Sequence, residues 1–417
     1  MYKGTALADE VVALNPHFAD AVEELDLQGD DETSTMDGDG DRESLVSESS
    51  VLSEKAAASR LAALAVRPAL DRFGFVARAE EPVDARSGGF GTDVRAEPQA
   101  RSAAQARQEN TELHKWLSML GPRWRSWTLA PRRLLLKRRV RRGIPNAVRA
   151  HAWDLLTDVP SLHPKLPEYS ELVARCTPEV FEEIERDVHR TFPEHALFSQ
   201  VFDAAGDPVE SKRGMPDGAR LLARLLAAVA GHDAELSYCQ GLNYVGGLLL
   251  MFHTEERALC LLLALLGRCG LRECYLPGLP GLRAAIEAFD GLVAGSLPKL
   301  HAHLEKEMVE PSLYCTRWFM TLFIGCLPFE ASLRALDCIC FDRDPKVLFR
   351  LGLAVLSLHE AKLLRLRGEA LMGALRTAPS ECADVDALFS RAFALRVKRR
   401  ALGGGALGRL ASAAVRK

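Results

Sequence analysis

The segment ARLLARLLAAVAG, residues 219–231, decides the fold class. Leu222, Leu225, Leu226 and Val229 recur three and four positions apart, the period of one helix face. The same kind of text recurs downstream: GLLLMF at 247–252, ALCLLLALLG at 258–267, LRAAIEAFDGLV at 282–293 and VLFRLGLAVLSL at 347–358. Gly and Pro break these stretches, and no run of alternating β-branched residues reaches strand length. The pattern predicts an all-α domain of many helices, about 230 residues long, from Ile144 to near Leu375. Upstream, ELHKWLSMLG at 112–121 spaces Leu113, Trp116, Leu117 and Leu120 as a helix does, so ordered structure is expected from about Asn110.

Three regions follow. Residues 1–108 are expected to be a mostly disordered, acidic and Ser-rich region with a linker, dispensable for activity. Within it, residues 21–54 hold twelve acids and one base, too little apolar surface to offset the entropy of ordering. Residues 109–375 form the helical domain, with its motif core at 141–355. Residues 376–417 are expected to be a C-terminal helix and a basic tail, Arg396–Lys417 carrying seven bases and no acid.

The whole chain has 417 residues, 48% hydrophobic and 26% charged, with a net charge of -3. A dedicated nucleic-acid binder is usually strongly basic, so the balance argues against that class. No stretch reaches the ~18–20 apolar residues of a membrane span. Met1–Glu10 lacks the basic start and apolar run of a secretory signal, and neither end carries a lipidation motif. A cytoplasmic setting is therefore expected. All ten cysteines fall between Cys176 and Cys382, mostly in apolar helical text, which predicts buried free thiols. Neither Cys269/Cys274 nor Cys338/Cys340 has partners at zinc spacing, so no metal site is expected.

Charge is nonetheless uneven. Residues 121–142 contain nine Lys or Arg and no acid, with Trp124 and Trp127 among them. Three readings of this run stand beside one another. It is a solvated helix face whose tryptophans pack on the domain, a peripheral contact for an anionic membrane at ~1 kcal/mol per base, or, least favoured, a nucleic-acid surface with stacking tryptophans.

Four stretches carry polar residues that a plain helical core does not need. In RRGIPNAVRAHAWDLL, residues 141–156, Arg149 and Trp153 are four apart and share a helix face. Alone, that is an Arg stacked over a Trp. In FEEIERDVHRTFPEH, residues 181–195, Asp187 and Arg190 are three apart near a helix end that Pro193 enforces. A carboxylate there aims a guanidinium, or merely makes a surface ion pair worth roughly 0.3–0.5 kcal/mol. In LSYCQGLNYVGGLLL, residues 236–250, Gln240 and Asn243 interrupt apolar text, and Gly241 permits close backbone approach. The fourth stretch, residues 313–355, is mostly packing text with Trp318, Phe319, Phe323 and Phe329.

In this order the stretches resemble the TBC family, the GTPase-activating domains that act on Rab GTPases. The family's RxxxW element matches Arg149 and Trp153; its IxxDxxR element matches Ile184, Asp187 and Arg190; its YxQG element matches Tyr238, Gln240 and Gly241, followed by Asn243. The resemblance covers roughly residues 110–365. It looks closest to the tenth TBC subgroup, which includes carabin, on DRFGFV at 71–76, KWLSML at 115–120, YLPG at 275–278 and EPSLYCTRWFM at 310–320. Leu242 stands where the family usually has Met, and Leu336 where it has Trp. The final Ala-Val-Arg-Lys lacks the hydrophobic end of a PDZ ligand, so no PDZ partner is supported.

The resemblance implies a multi-helix GTPase-activating domain whose partner is a GTP-bound Rab-family small GTPase. Arg190 would be an arginine finger and Gln240 a glutamine finger, both supplied in trans. Asp187, Arg149, Trp153, Tyr238, Gly241 and Asn243 would support them. The protein would activate its partner rather than turn over a substrate of its own. It would need no cofactor, and the chain has no GxxxxGK[ST] loop for a nucleotide. The alternative is a catalytically silent TBC scaffold that only binds a small GTPase.

Overall fold

A computed structural model describes residues 71–75, 103–122, 124–198, 217–395 and 397. The acidic segment 21–54 and the tail beyond 397 lie outside the described residues. The long apolar stretches all become helices. A lead-in comprises α1 (Ala103–Leu120), the single turn α2 (Trp124–Trp127) and α3 (Arg132–Arg142). Then come α4 (Asn146–Thr157), α5 (Tyr169–Ala174) and α6 (Pro178–Val188). The centre comprises α7 (Asp217–His232), α8 (Leu242–Leu250) and α9 (Glu255–Gly267). The remainder comprises α10 (Pro280–Ser296), α11 (Pro298–Lys306), α12 (Ser312–Met320), α13 (Phe329–Asp342), α14 (Lys346–Leu363), α15 (Gly368–Thr377) and α16 (Val385–Ala394). Among the described residues there is no strand, only one isolated bridge between Phe75 and His195. The fold is all-α.

The deciding segment, α7, is a hub. Its buried face, with Leu222, Leu225, Leu226 and Val229, packs against α5, α6, α8 and α9. Burying an aliphatic side chain contributes roughly 1.5–3 kcal/mol, so this multi-sided contact fixes where α6 and α8 sit. Those two helices carry the polar motifs. A second group forms around α14, which packs on α10, α12, α13, α15 and α16. Between the groups, α13 lies against α3 and α4. Leu242 and Leu336, the two departures from the family text, are both buried at 1% exposure, so each fills core space without a polar task.

Two findings differ from the sequence expectation at the N-terminal side. The first long helix starts at Ala103, six residues ahead of the expected boundary at 109. Residues 71–75, which fall within the 1–108 region expected to be mostly disordered, are docked on the domain: Phe73 and Phe75 pack on Phe329, and Ala196 N donates to Gly74 O at 2.9 Å. The resemblance marks DRFGFV as family-like text, but five residues are too few to show a period from which docking could be read. All ten cysteines are free, eight of them buried.

Candidate functional site

Helix α6 ends at Val188 because the chain tightens there: Arg190 N donates to Asp187 O at 3.3 Å and Thr191 N to Val188 O at 3.0 Å. Ile184 and Val188 bury the inner stripe, at 0% and 1% exposure. Asp187 is carried inward with them, and its carboxylate collects two donors. Oδ1 accepts from Arg190 Nη2, and Oδ2 accepts from Tyr238 Oη at 2.6 Å. Asp187 is buried while the Arg190 side chain is 43% exposed. Burial, and then the Asp187 carboxylate, push the Tyr238 phenol far above its ordinary range, so it stays a neutral donor.

Tyr238 thereby binds the segment before α8 to the end of α6. Gly241, with φ of 110°, turns the chain into α8; a Cβ there would stand 2.8 Å from Met320 O, so backbone freedom and close approach both require glycine. Gly241 N donates to Asn243 Oδ1 at 2.9 Å, and Asn243 Nδ2 donates to Thr191 Oγ1 at 2.8 Å. Thr191 Oγ1 in turn donates to Asp187 O at 2.8 Å. Asn243 is fully buried, and these bonds satisfy both ends of its amide. It bridges the loop after Arg190 to the turn after Gln240. Gln240 itself is exposed, and its amide has no hydrogen-bond partner among the described residues. Beside it, burial followed by Glu183 and Asp187 pushes the Cys239 thiol up to about 11, which keeps it protonated at neutral pH.

Arg149 and Trp153 belong to a different centre. They do not stack on each other. Both point at Asp337 of α13: Arg149 Nε donates to Oδ1 at 3.1 Å, Trp153 Nε1 to Oδ1 at 2.7 Å, and Ile144 N to Oδ2 at 2.8 Å. Asn146 Oδ1 accepts from Arg149 Nη1, which adds a second acceptor to the guanidinium. Burial pushes the Asp337 carboxyl up, and Arg149 with the N–H donors opposes that push. Asp337 closes the family-like LRALD text at 333–337, but its role as acceptor is not legible in the sequence, where it is one acid inside the apolar helix ALDCICF. Asp154 went unassigned in sequence. It pairs with His253 at 3.1 Å and Arg257 at 2.8 Å, tying α4 to α9. Burial alone would raise its carboxyl; His253 and Arg257 together hold it below the usual range.

In the basic run, Trp124 is buried, and Arg132 and Arg139 lie over the Trp127 ring at 5.6 and 5.5 Å. Neither indole is presented for base stacking. Arg133 lies over Phe341 at 4.6 Å and Lys137 pairs with Asp342 at 3.5 Å, so part of the run serves packing. Leu134, Arg138 and Arg142, four residues apart, share the outer face, and all three are exposed. Among the described residues no helix is long and apolar enough to cross a membrane, and no group of three or more His, Cys, Asp or Glu is placed to hold a metal.

The Rab-GTPase-TBC domain family matches this chain over residues 146–364. The human growth hormone-regulated TBC protein 1 is 33% identical over 237 residues, 56% of this chain and 66% of that protein. Human TBC1 domain family member 10B is 31% identical over 280 residues, 66% of this chain and 32% of that protein. The match thus spans less than two thirds of either relative's length. The crystal structure of a Chlamydomonas flagellar RabGAP TBC domain superposes with a TM-score of 0.54 at 26% identity, covering 71% of this chain and 97% of that one.

Proposed function

The chain belongs to the Rab-GTPase-TBC domain family, and on that premise we propose that it accelerates GTP hydrolysis by a GTP-bound Rab-family small GTPase, in the service of vesicle trafficking. The observation that carries the reading is the Asp187 carboxylate, which accepts from Arg190 and Tyr238 at once. That one group ties the end of α6 to the segment holding Gln240, while Arg190 and Gln240 both remain exposed.

Phosphoryl transfer to water spreads charge over the γ-phosphate oxygens and needs an aligned attacking water. Arg190 supplies the first need. Its planar fork offers several donors, so one edge stays on Asp187 while another meets phosphate oxygens. Aim is set before the partner arrives, and preorganised charge works best in a site closed to water. Gln240 supplies the second need through an amide that donates and accepts toward the water. Asn243 and Gly241 hold the spacing of the two loops. Arg149 and Trp153 act at a distance, by holding α4 against α13. The protein is an activator acting in trans, without a cofactor.

A peripheral contact completes the proposal. Leu129 and Leu134, at 64% and 67% exposure, accompany Arg138 and Arg142 on a surface suited to an anionic bilayer. The test of the main reading is a panel of GTP-loaded Rab proteins assayed for phosphate release with the full chain. Binding without acceleration of any of them would leave a silent scaffold. For the membrane, the double substitution R138S/R142S is expected to lower binding to phosphatidylserine vesicles at ~1 kcal/mol per charge, with activity on a soluble Rab unchanged. No binding by the parent would reduce α3 to a solvated face.

A further inference from the structure

We infer that Asp71–Phe75 is a positioning element for the loop that follows Arg190. The inference rests on reading Arg190 as the finger, and it makes a segment ahead of the helical domain part of the activating apparatus.

The segment is a built turn. Asp71 Oδ1 accepts from Phe73 N at 2.8 Å and Phe75 N at 2.9 Å, Asp71 N donates to Phe75 O at 2.8 Å, and Gly74 N donates to Asp71 O at 3.0 Å. An aspartate that closes its own turn in this way presents the next residues in a fixed shape. What they meet is residues 191–198. His195 is 7% exposed, and its Nδ1 accepts from Leu197 N at 3.1 Å. That leaves Nε2–H to donate to Phe73 O, 2.8 Å away. Ala196 N donates to Gly74 O at 2.9 Å. Gly74 sits at φ +90°, and a Cβ there would stand 2.8 Å from His195 Nε2, so no larger residue fits. Phe75 meets His195 and Phe192 edge-on, with ring centroids 4.9 and 6.2 Å away, and Phe73 and Phe75 both pack on Phe329 at the start of α13.

The held loop needs holding. Phe192, two residues after Arg190, is fully buried at φ +48°, a left-handed conformation that a bulky side chain adopts only when its surroundings impose it. Asn243 grips one side of this loop through Thr191. The turn at 71–75 grips the other side through Phe192 and His195. Loosening either grip widens the range of positions open to Arg190, and a misplacement near 1 Å costs about 10²-fold in rate.

The experiment uses the full chain and the Rab that gives the fastest phosphate release. Phe75→Ala removes the aromatic contact; Gly74→Ala leaves the aromatics and crowds His195. Each is expected to lower kcat about 10–100-fold with KM within about twofold, and to speed amide exchange selectively in residues 191–198. Unchanged kcat in both variants overturns the inference. So does exchange that rises equally in α7 and α14, because that is general destabilisation. In an Arg190→Ala background neither substitution should lower the residual rate further; a loss of the same factor there shows that the turn acts elsewhere and also overturns it. Failure of the finger reading is separately visible, as an Arg190→Ala protein that still activates.

Discussion

Asp187 and Asp337 are built from the same parts. Each carboxylate is drawn inward by a helix and accepts from one arginine and one aromatic side chain: Arg190 and Tyr238 at Asp187, Arg149 and Trp153 at Asp337. They differ in where the arginine ends. The Arg149 side chain is 6% exposed, and that of Arg190 is 43% exposed. At Asp337 every charge is consumed inside the protein, joining α4 to α13. At Asp187 the carboxylate is enclosed but the cation reaches the surface. A buried acid with a buried arginine is a staple, while a buried acid with a surfaced arginine presents that arginine at a fixed angle. Sequence spacing does not distinguish the two; accessibility does.

The largest expected effect breaks the comparison at its exposed end. Arg190→Ala should lower GTPase activation about 10³–10⁵-fold with the unfolding midpoint unchanged. Arg190→Lys should fail similarly, since an ammonium does not reproduce the fork. Retained activity within threefold of the parent would remove Arg190 from the mechanism. Asp337→Ala breaks the other end: it strands Arg149 in the core and should cost about 3–5 kcal/mol in urea unfolding. The surviving folded fraction should activate normally; a selective loss of kcat there would make Asp337 part of the site. Next in size, Gln240→Ala should cost about 10²–10³-fold in kcat, the scale of one positioned polar group. It should do so on a Rab whose own glutamine is intact, and no loss on such a partner would rule out a glutamine finger.

Much of this was legible beforehand. The helices around α7 and α14 follow from apolar residues at three and four positions, because packing enforces that period. The fold sorts the motif residues into two centres, a grouping that their spacing does not reveal. Arg149 and Trp153 are neighbours on α4, and nothing local reveals that both reach Asp337, more than 180 positions away. Likewise, Asp187 and Tyr238 are separated by 51 positions and meet because α6 and the segment leading into α8 are brought together, with α6 and α8 both packed on α7. The stretch DRFGFV stands out in the sequence, but not its docking: that information lies in one aspartate, one glycine and two phenylalanines, and only the receiving loop explains them.

Tyr238→Phe gives the smallest effect and sharpens the comparison most. The ring stays and only the donor to Asp187 Oδ2 is lost, at 2.6 Å. A hydrogen bond to a charged group contributes about 1.5–3 kcal/mol. If that energy serves aim, it should appear as roughly a tenfold lower kcat with little change in KM or unfolding midpoint. It should also vanish once Asp187 is Asn, because the phenol then has no carboxylate to anchor. A double-mutant cycle of Tyr238→Phe with Asp187→Asn reads this directly in kcat. The opposite pattern, lost stability with kcat intact, would make Asp187 a staple like Asp337, with its exposed arginine incidental.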